Sequence, residues 1–595
     1  MLPLRRDRVH RRTRVLGGLL GAALVATTLR FAYLAVFPSD LRARLLSQDS
    51  RQHLSTTVIS TPRAPITDRR GRPLALTVMK PSVFIVPARL PLAETREGAA
   101  ILNSLTRLSG IPRTRLAAWH EQGRQFVWLK RQTTNEAASS FASLPGWEDF
   151  GGVLNEPARY YPFGSLAAQL LGYTGIDNQG LAGLEAVYED KIKGERQTVQ
   201  VTRDARRRLA ITWPNEASRP DVEPQPLVIS IDAEVQRIME TELGEAVRHS
   251  GAQGGSGVVI DVTNGEVFAL ASLPLHDANR PETRTPESLR LRPVQDALEL
   301  GSVMKPFVVA GALNSGAVRP GDRFNCENGE LKLPGATIHD VKRKGVLDVP
   351  DILKFSSNVC MYKIARTLGR ERLHSYLKSF GIVEPAGSGL PGEYAGDEQD
   401  PNSWREIRFA NVSFGQGIAI TPLQMARAAA TLVSGGTRVP VRILRTDPSA
   451  TGDEAGPALH SMTNLELPPA KVVHPDVSVQ VRRMLARVVE DEDATAPAAR
   501  LDEFSAGGKT GTAQKFSTVT RSYSERIPSF LGFFPAEHPR FVVYIVLDAV
   551  TVRPAFGGKL AAPVFAAVSN ALGRYLKATG TLSLYDSRSS AGESR

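Results

Sequence analysis

Gly301-Ser302-Val303-Met304-Lys305-Pro306-Phe307 is the stretch on which the reading of this 595-residue chain turns. Ser302 and Lys305 are three residues apart, so on a helix they share a face about one turn from each other. An ammonium beside a hydroxyl is no base. Desolvated, Lys305 loses its proton and can take one from Ser302. A Ser302 at a helix N-terminus also has backbone N–H groups aimed at a developing oxyanion. The spacing alone does not decide, because Ser375-Tyr376-Leu377-Lys378 has it too. A helix cap followed by a solvated lysine gives the same pattern.

Two later stretches carry complementary chemistry. Ser356-Ser357-Asn358 reads as a short loop or helix start with Ser356 and Asn358 pointing one way. A hydroxyl there can shuttle a proton, and an amide can hold a peptide bond. Gly508-Lys509-Thr510-Gly511-Thr512-Ala513 reads as a strand with Lys509 and Gly511 on one side and Thr510 and Thr512 on the other. Gly511 leaves an opening for a ligand backbone, and the cation and hydroxyls suit a carboxylate. Taken singly, the first stretch is a polar turn and the second an edge strand with an ordinary lysine.

Around these stretches the pattern is mixed α+β. Pro226–Ile231 reads as a strand, Asp232 as an N-cap and Ala233–Arg248 as an amphipathic helix. Gly257–Asp261 and Glu266–Ala271 flank Thr263-Asn264-Gly265, a hairpin with an Asn-Gly turn. Helical segments fill residues 302–434, and strands return at Gly508–Lys515, Ser529–Phe534 and Phe541–Leu547, followed by a helix over Pro563–Leu576. Early and late strands with helices between them imply one sheet built from both ends of the domain. Before residue 224 the spacing predicts short β segments between Val58 and Pro87 and helices over Ala99–Leu108 and Arg113–Gln122, within one irregular α+β domain. Leu41–Leu54 reads as an amphipathic helix, Thr446–Pro469 as a polar, Pro-rich surface loop, and the tail from Thr579 as disordered.

The chain is 42% hydrophobic and 23% charged, a globular composition. Its two cysteines, Cys326 and Cys360, exclude a disulfide scaffold and a Cys-rich zinc or iron–sulfur site, and leave the redox compartment open. Cys360 reads as a small buried apolar residue. The ten histidines form no metal-binding pair, so neither a metal nor a cofactor is expected. Residues 1–14 hold six of the arginines and carry +5 of the net +12. Val15–Phe37 follows, 23 residues whose one charge is Arg30. As a helix it spans ~34 Å, enough for a bilayer core. The arginine cluster marks the cytoplasmic end, and the bulk of the chain then faces outward. Binding of nucleic acid by the basic tail is set aside on this ground, as is a cleaved signal peptide, since no clear A-x-A site closes the apolar stretch.

The conjunction of S-x-x-K, S-x-N and K-T-G, in that order, resembles the serine β-lactamases and penicillin-binding proteins. Ser413-Phe414-Gly415-Gln416-Gly417 with Thr421-Pro422 and Gln424, Ser529-Phe530 with Gly532, and Gly557-Gly558 through Ala562-Pro563-Val564-Phe565 extend the resemblance. Arg63-Ala64-Pro65-Ile66 with Asp68-Arg69 and Gly71, Arg159-Tyr160-Tyr161-Pro162, Leu171-Gly172-Tyr173, and Gly180 with Gly183-Leu184-Glu185 are similar to the membrane-proximal motifs of class B penicillin-binding proteins. The chain departs from them at Ala64 (usually Gly), Gln169 (often His) and Leu300 (often Pro).

The resemblance implies a cytoplasmic tail over 1–14, an anchor over 15–37, a non-catalytic dimerisation-like pedestal over 38–224, a penicillin-binding transpeptidase domain over 225–578 with a β-lactamase-like antiparallel sheet, and a tail over 579–595. It implies a D,D-transpeptidase acting on the D-Ala-D-Ala end of peptidoglycan stem peptides and acylated by β-lactams. Ser302 is then the nucleophile, Lys305 its base, Ser356 the proton relay and Asn358 the holder of substrate backbone. Lys509, Thr510, Gly511 and Thr512 form the carboxylate-binding strand. The Ser-Ser-Asn triplet and Ile338-His339-Asp340 resemble the division-specific enzymes. These work with a membrane-embedded glycan polymerase of the shape, elongation, division and sporulation (SEDS) family and other divisome proteins. An elongation- or sporulation-specific role is the nearest alternative. A β-lactamase-like hydrolase would need a water-activating base that no residue marks. A septal scaffold or β-lactam sensor would not account for the intact serine–lysine set, or would need a longer cytoplasmic segment than 14 residues.

Overall fold

The computed structural model describes residues 6–36, 55–60, 62–91, 95–193, 196–203, 209–212, 225–445, 470–517 and 521–580. The expected helix over Leu41–Leu54, the expected loop over Thr446–Pro469 and the tail beyond residue 580 lie outside them. By packing, the chain forms two units. The first takes in Met1–Thr61, Met79–Ala158 and Glu195–Val222, and the second takes in Pro62–Val78, Arg159–Gly194 and Glu223–Arg595. Two segments that precede residue 224 thus pack with the C-terminal part.

In the first unit, the helix Arg6–Val36 contains Arg14–Tyr33, 20 residues long and apolar enough to cross a membrane. Strands Ser55–Ser60, Arg196–Arg203 and Leu209–Thr212 form an antiparallel sheet. A separate core gathers Val83, Ile85, Leu102, Leu105, Leu116, Phe141, Trp147 and Phe150. Its helices Arg96–Ser109 and Asn135–Ala142 start where the sequence caps them, at Thr95 and Thr134. Arg113–Glu121 is helical as its pattern predicts.

In the second unit, five antiparallel strands run in the order β2-β1-β5-β4-β3: β1 (Gly254–Asp261), β2 (Val267–Leu273), β3 (Gly507–Ser517), β4 (Ser522–Phe534) and β5 (Phe541–Asp548). The early hairpin and the late strands do share one sheet. Every residue of β1 and β5 is buried, so both faces are covered. The helices that matter below are α1 (Ala233–Ser250), α2 (Lys305–Asn314), α3 (Val349–Phe355), α4 (Asn358–Leu368), α5 (Pro422–Val433), α6 (Pro475–Glu490) and α7 (Ala562–Ala578). Met239 of α1 lies over Gly257, and Phe565 of α7 lies over Gly532. The Pro226–Ile231 strand shrinks to Leu227–Val228, which pairs in parallel with Ile66–Thr67. Ile229 N still donates to Thr67 O (3.0 Å), and from there Ser230 N donates to Ile443 O instead (2.7 Å).

The membrane-proximal motifs are structural clamps within this unit. The Asp232 carboxylate caps α1 and receives Arg70 Nε (3.0 Å) and Arg72 Nη2 (2.7 Å). Asp68 accepts from Ala233 N at the same helix start (3.1 Å). Gln169, where the related motif often has His, donates to Ser272 O and Pro274 O. Arg63 and Arg159 converge on Glu185, at 2.9 and 2.6 Å, with all three side chains at most 1% exposed. A buried carboxylate between two guanidiniums is tolerable only while it is charged and paired, and removing that charge strands Arg159 and leaves Arg63 only Glu189 (2.7 Å). Glu185→Gln is expected to lose about 3–5 kcal/mol of stability, read by denaturant unfolding. A loss under ~1 kcal/mol, the scale of an exposed pair, would contradict this account.

Candidate active site

Ser302 lies in a single 3₁₀ turn, Gly301–Met304, that runs directly into α2 at Lys305. Residues i and i+3 eclipse in a 3₁₀ turn, so Ser302 and Lys305 stack on one side. The turn is held from outside. Gly301 N donates to Gly415 O (2.9 Å), and Leu298 and Ile420 exchange backbone hydrogen bonds (3.0 Å each). A Cβ on Gly415 would stand 2.1 Å from Gly301 O, so the Ser413–Gly417 stretch admits only glycine where it meets the turn.

The structure brings the three separated stretches together on the Ser356 hydroxyl. Lys305 Nζ lies 3.1 Å from Ser356 Oγ, 2.7 Å from Ser356 O and 2.7 Å from Asn358 Oδ1. Lys509 Nζ, from edge strand β3, lies 3.0 Å from the same Ser356 Oγ and 3.3 Å from Thr510 Oγ1. Both lysines are fully buried. Burial, and secondly the neighbouring Lys509 charge, hold the Lys305 amine well below its ordinary pKa, while Asp340 pulls weakly the other way. Burial brings Lys509 down to about 7.

Ser356 sits in the left-handed region (φ 61°) as the C-cap of α3, and Ser357 caps α4. Such backbone is uncommon for a residue with a side chain and needs support from its surroundings. Asp340 supplies it. Its carboxylate accepts from Ser357 Oγ and from the N–H groups of Asn358 and Val359. Asn358 Nδ2 donates to His339 O (2.9 Å), so its amide bridges Lys305 to the Asp340 segment. Thr512 Oγ1 donates to Gly511 O (2.8 Å) and accepts from Gly557 N (3.1 Å).

Two expectations change. The space beside Gly511 is not open to a ligand. A Cβ there would meet Ser529 Oγ at 2.2 Å, Leu300 O at 2.8 Å and Val303 Cγ1 at 3.1 Å. The close approach is made by the protein's own Ser302 turn, which is thereby pressed against β3. Cys360 is not a lone buried thiol: it forms a disulfide with Cys326. That bond ties the first turn of α4 to the base of the Glu330–Leu333/Ala336–His339 hairpin. Both sulfurs are buried beside the helix start that carries Asn358. Asp340 and this pairing are the parts that sequence reasoning missed. The Ile338-His339-Asp340 triplet was the available signal for Asp340, whereas two cysteines 34 residues apart announce no partner. Among the described residues, no group of three or more His, Cys, Asp or Glu could hold a metal ion.

With this geometry in view, the comparisons with known proteins are direct. The family profile of the penicillin-binding protein transpeptidase domain matches residues 255–570, and that of the penicillin-binding protein dimerisation domain matches residues 58–220. The chain belongs to the class B penicillin-binding proteins. This penicillin-binding protein is 30% identical over 565 residues to the peptidoglycan D,D-transpeptidase FtsI of Escherichia coli, covering 93% of the chain and 90% of that protein. It is 32% identical over 522 residues to the "Probable peptidoglycan D,D-transpeptidase PenA" of Neisseria meningitidis, covering 88% and 86%. The crystal structure of penicillin-binding protein 3 from Mycobacterium tuberculosis with aztreonam is similar over 88% of this chain and 97% of that one, with 25% identity and a TM-score of 0.64.

Because the disulfide closes a loop of about 34 residues around the Asp340 segment, Cys326→Ala/Cys360→Ala should lose ~2–4 kcal/mol. Chemical denaturation of the double variant beside the oxidised wild type measures it. Equal stability would contradict a bracing role.

Proposed function

We propose that this penicillin-binding protein is a serine-type peptidoglycan D,D-transpeptidase that crosslinks stem peptides through a Ser302 acyl-enzyme. The observation that carries the reading is the pair of buried lysine amines sharing the Ser356 hydroxyl, one eclipsed turn from Ser302. Neutral Lys305 accepts the Ser302 proton as Oγ attacks the carbonyl of the penultimate D-Ala. The N–H groups of Ser302 and Thr512 receive the oxyanion. The C–N bond breaks, and Ser356, hydrogen-bonded to both lysines, passes a proton to the departing amine of the terminal D-Ala. Charged Lys509, with Thr510 and Thr512, holds that residue's carboxylate. Asn358 steadies the donor backbone, which lies along the free edge of β3. An amine from a second stem then attacks the acyl carbon and returns Ser302 to its hydroxyl form. β-Lactams acylate Ser302 in the same way.

The setting follows from the same chain. The apolar helix stretch Arg14–Tyr33, with arginines before it, anchors the protein in the cytoplasmic membrane and leaves the catalytic unit outside. The buried disulfide supports this side, since such bonds persist in oxidising compartments. Septal synthesis, with a SEDS-family polymerase and divisome partners, is the role that the Ser-Ser-Asn triplet and the FtsI relative favour.

Fluorescent penicillin should label wild-type protein stably for hours and leave Ser302→Ala unlabelled. A label that clears in seconds would point to a hydrolase, and none on folded protein would refute the catalytic reading. The second-order acylation constant should be bell-shaped in pH. It falls on the acid side as Lys305 gains its proton, and above about 7 as Lys509 loses the charge that attracts the carboxylate. Lys509→Arg should remove the alkaline limb, because arginine stays charged. A rate that climbs steadily to pH 10 would contradict these roles.

A further inference from the structure

The segment that follows Asp340 has no part in the chemistry above, yet its charges gather beside it. Val341-Lys342-Arg343-Lys344-Gly345 is an exposed loop apart from half-buried Lys344, and Val341 is 82% exposed. It begins at the carboxylate that holds the N–H groups of Asn358 and Val359. Its two lysines turn back over Phe355, the residue before Ser356. The Lys344 ammonium lies 4.1 Å from the ring centre and that of Lys342 lies 6.0 Å away. A third ammonium, Lys354, stands 4.9 Å from the same ring.

The anions nearby do not balance this set. Lys354 is paired with both Asp491 (2.9 Å) and Asp493 (2.7 Å). Asp491 also receives Arg487. Asp493 has Lys344 as a more distant neighbour, and Lys342 reaches only its backbone oxygen, at 3.5 Å. Among the described residues, Lys342, Arg343 and Lys344 make no ion pair with a carboxylate. Three consecutive cations thus follow Asp340, two of them with their ammoniums over the residue before Ser356. Cations left unpaired at such a place raise the local concentration of anions and hydrogen-bond those that bind.

We propose that Lys342, Arg343 and Lys344 form a subsite for carboxylates of the donor stem peptide upstream of its D-Ala-D-Ala end. The loop selects stems whose upstream carboxylates are free over stems in which they are amidated. This rests on the transpeptidase reading and names which donors that site takes. The subsite recognises charge alone, so a carboxamide of the same size loses the contact, and salt weakens the preference.

The test uses the full-length protein in detergent and two synthetic D-Ala thioester donors that differ only in one upstream group, carboxylate or carboxamide. Wild type should turn over the carboxylate donor with kcat/KM about tenfold higher, the difference lying in KM. The preference should shrink in high salt. Lys342→Gln/Arg343→Gln, with an unchanged melting temperature, should bring the two donors within about twofold. Equal kcat/KM for both donors in wild type, or a full preference in the folded double variant, would overturn the inference. A parallel reading needs no turnover: fluorescence anisotropy of a labelled carboxylate tripeptide and its amide on Ser302→Ala. Preferential binding of the carboxylate that depends on Lys342 and Arg343 supports the subsite, and equal binding overturns it. Failure of wild type to take fluorescent penicillin would refute the transpeptidase reading, while the anisotropy would still decide on the loop.

Discussion

Two amines are buried around one hydroxyl, and the arrangement of the second unit serves that cost. Lys305 and Lys509 have no carboxylate within ion-pair distance among the described residues, and both are fully buried. An isolated ammonium in such a place is costly, so burial lowers both amines, Lys305 well below its ordinary range and Lys509 to about 7. The fold exploits this. In the proposed mechanism the lowered Lys305 amine serves as the base, and the hydroxyl between the two amines carries its proton.

Holding that arrangement needs contributions from distant parts of the chain. β3 sits at one edge of the sheet and presents Lys509. The Ser302 turn is pinned between Gly511 of β3 and Gly415, so Ser302 and Lys305 cannot drift from the strand. Ser356 is kept in left-handed backbone by a carboxylate from a hairpin, and that hairpin is tied to α4 by the disulfide. Farther off, the buried Arg63–Glu185–Arg159 cluster ties the two segments from before residue 224 to each other, and Asp68, Arg70 and Arg72 join one of them to the start of α1. Each device trades chain freedom for position, as catalytic geometry demands.

Much of this was legible in the sequence, because local signals wrote it. The Asp232 cap, the Asn-Gly hairpin and the late apolar strands appear where pattern and turn chemistry place them. Lys305, Ser356, Asn358 and Lys509, drawn from all three stretches, do meet, although nothing local in any one of them says so; their order along the chain did. What was not legible depends on tertiary partners. The Ile338-His339-Asp340 triplet marks Asp340 by resemblance without announcing its three hydrogen bonds, and nothing marks Cys326 for Cys360. The expected opening at Gly511 was the right reason for a glycine with the wrong neighbour. The strand at Pro226–Ile231 was shortened because its partner, Ile66–Thr67, is only two residues long.

The central claim is that burial makes Lys305 give up its proton well below the ordinary lysine range. The direct measurement is a side-chain ¹⁵Nζ NMR titration of lysine-labelled protein, with Lys305 assigned by loss of its signal in Lys305→Met. The Lys305 signal should move between the amine and ammonium positions at a pH well below that of the exposed lysines. A Lys305 signal that stays at the ammonium position up to pH 9 would contradict it.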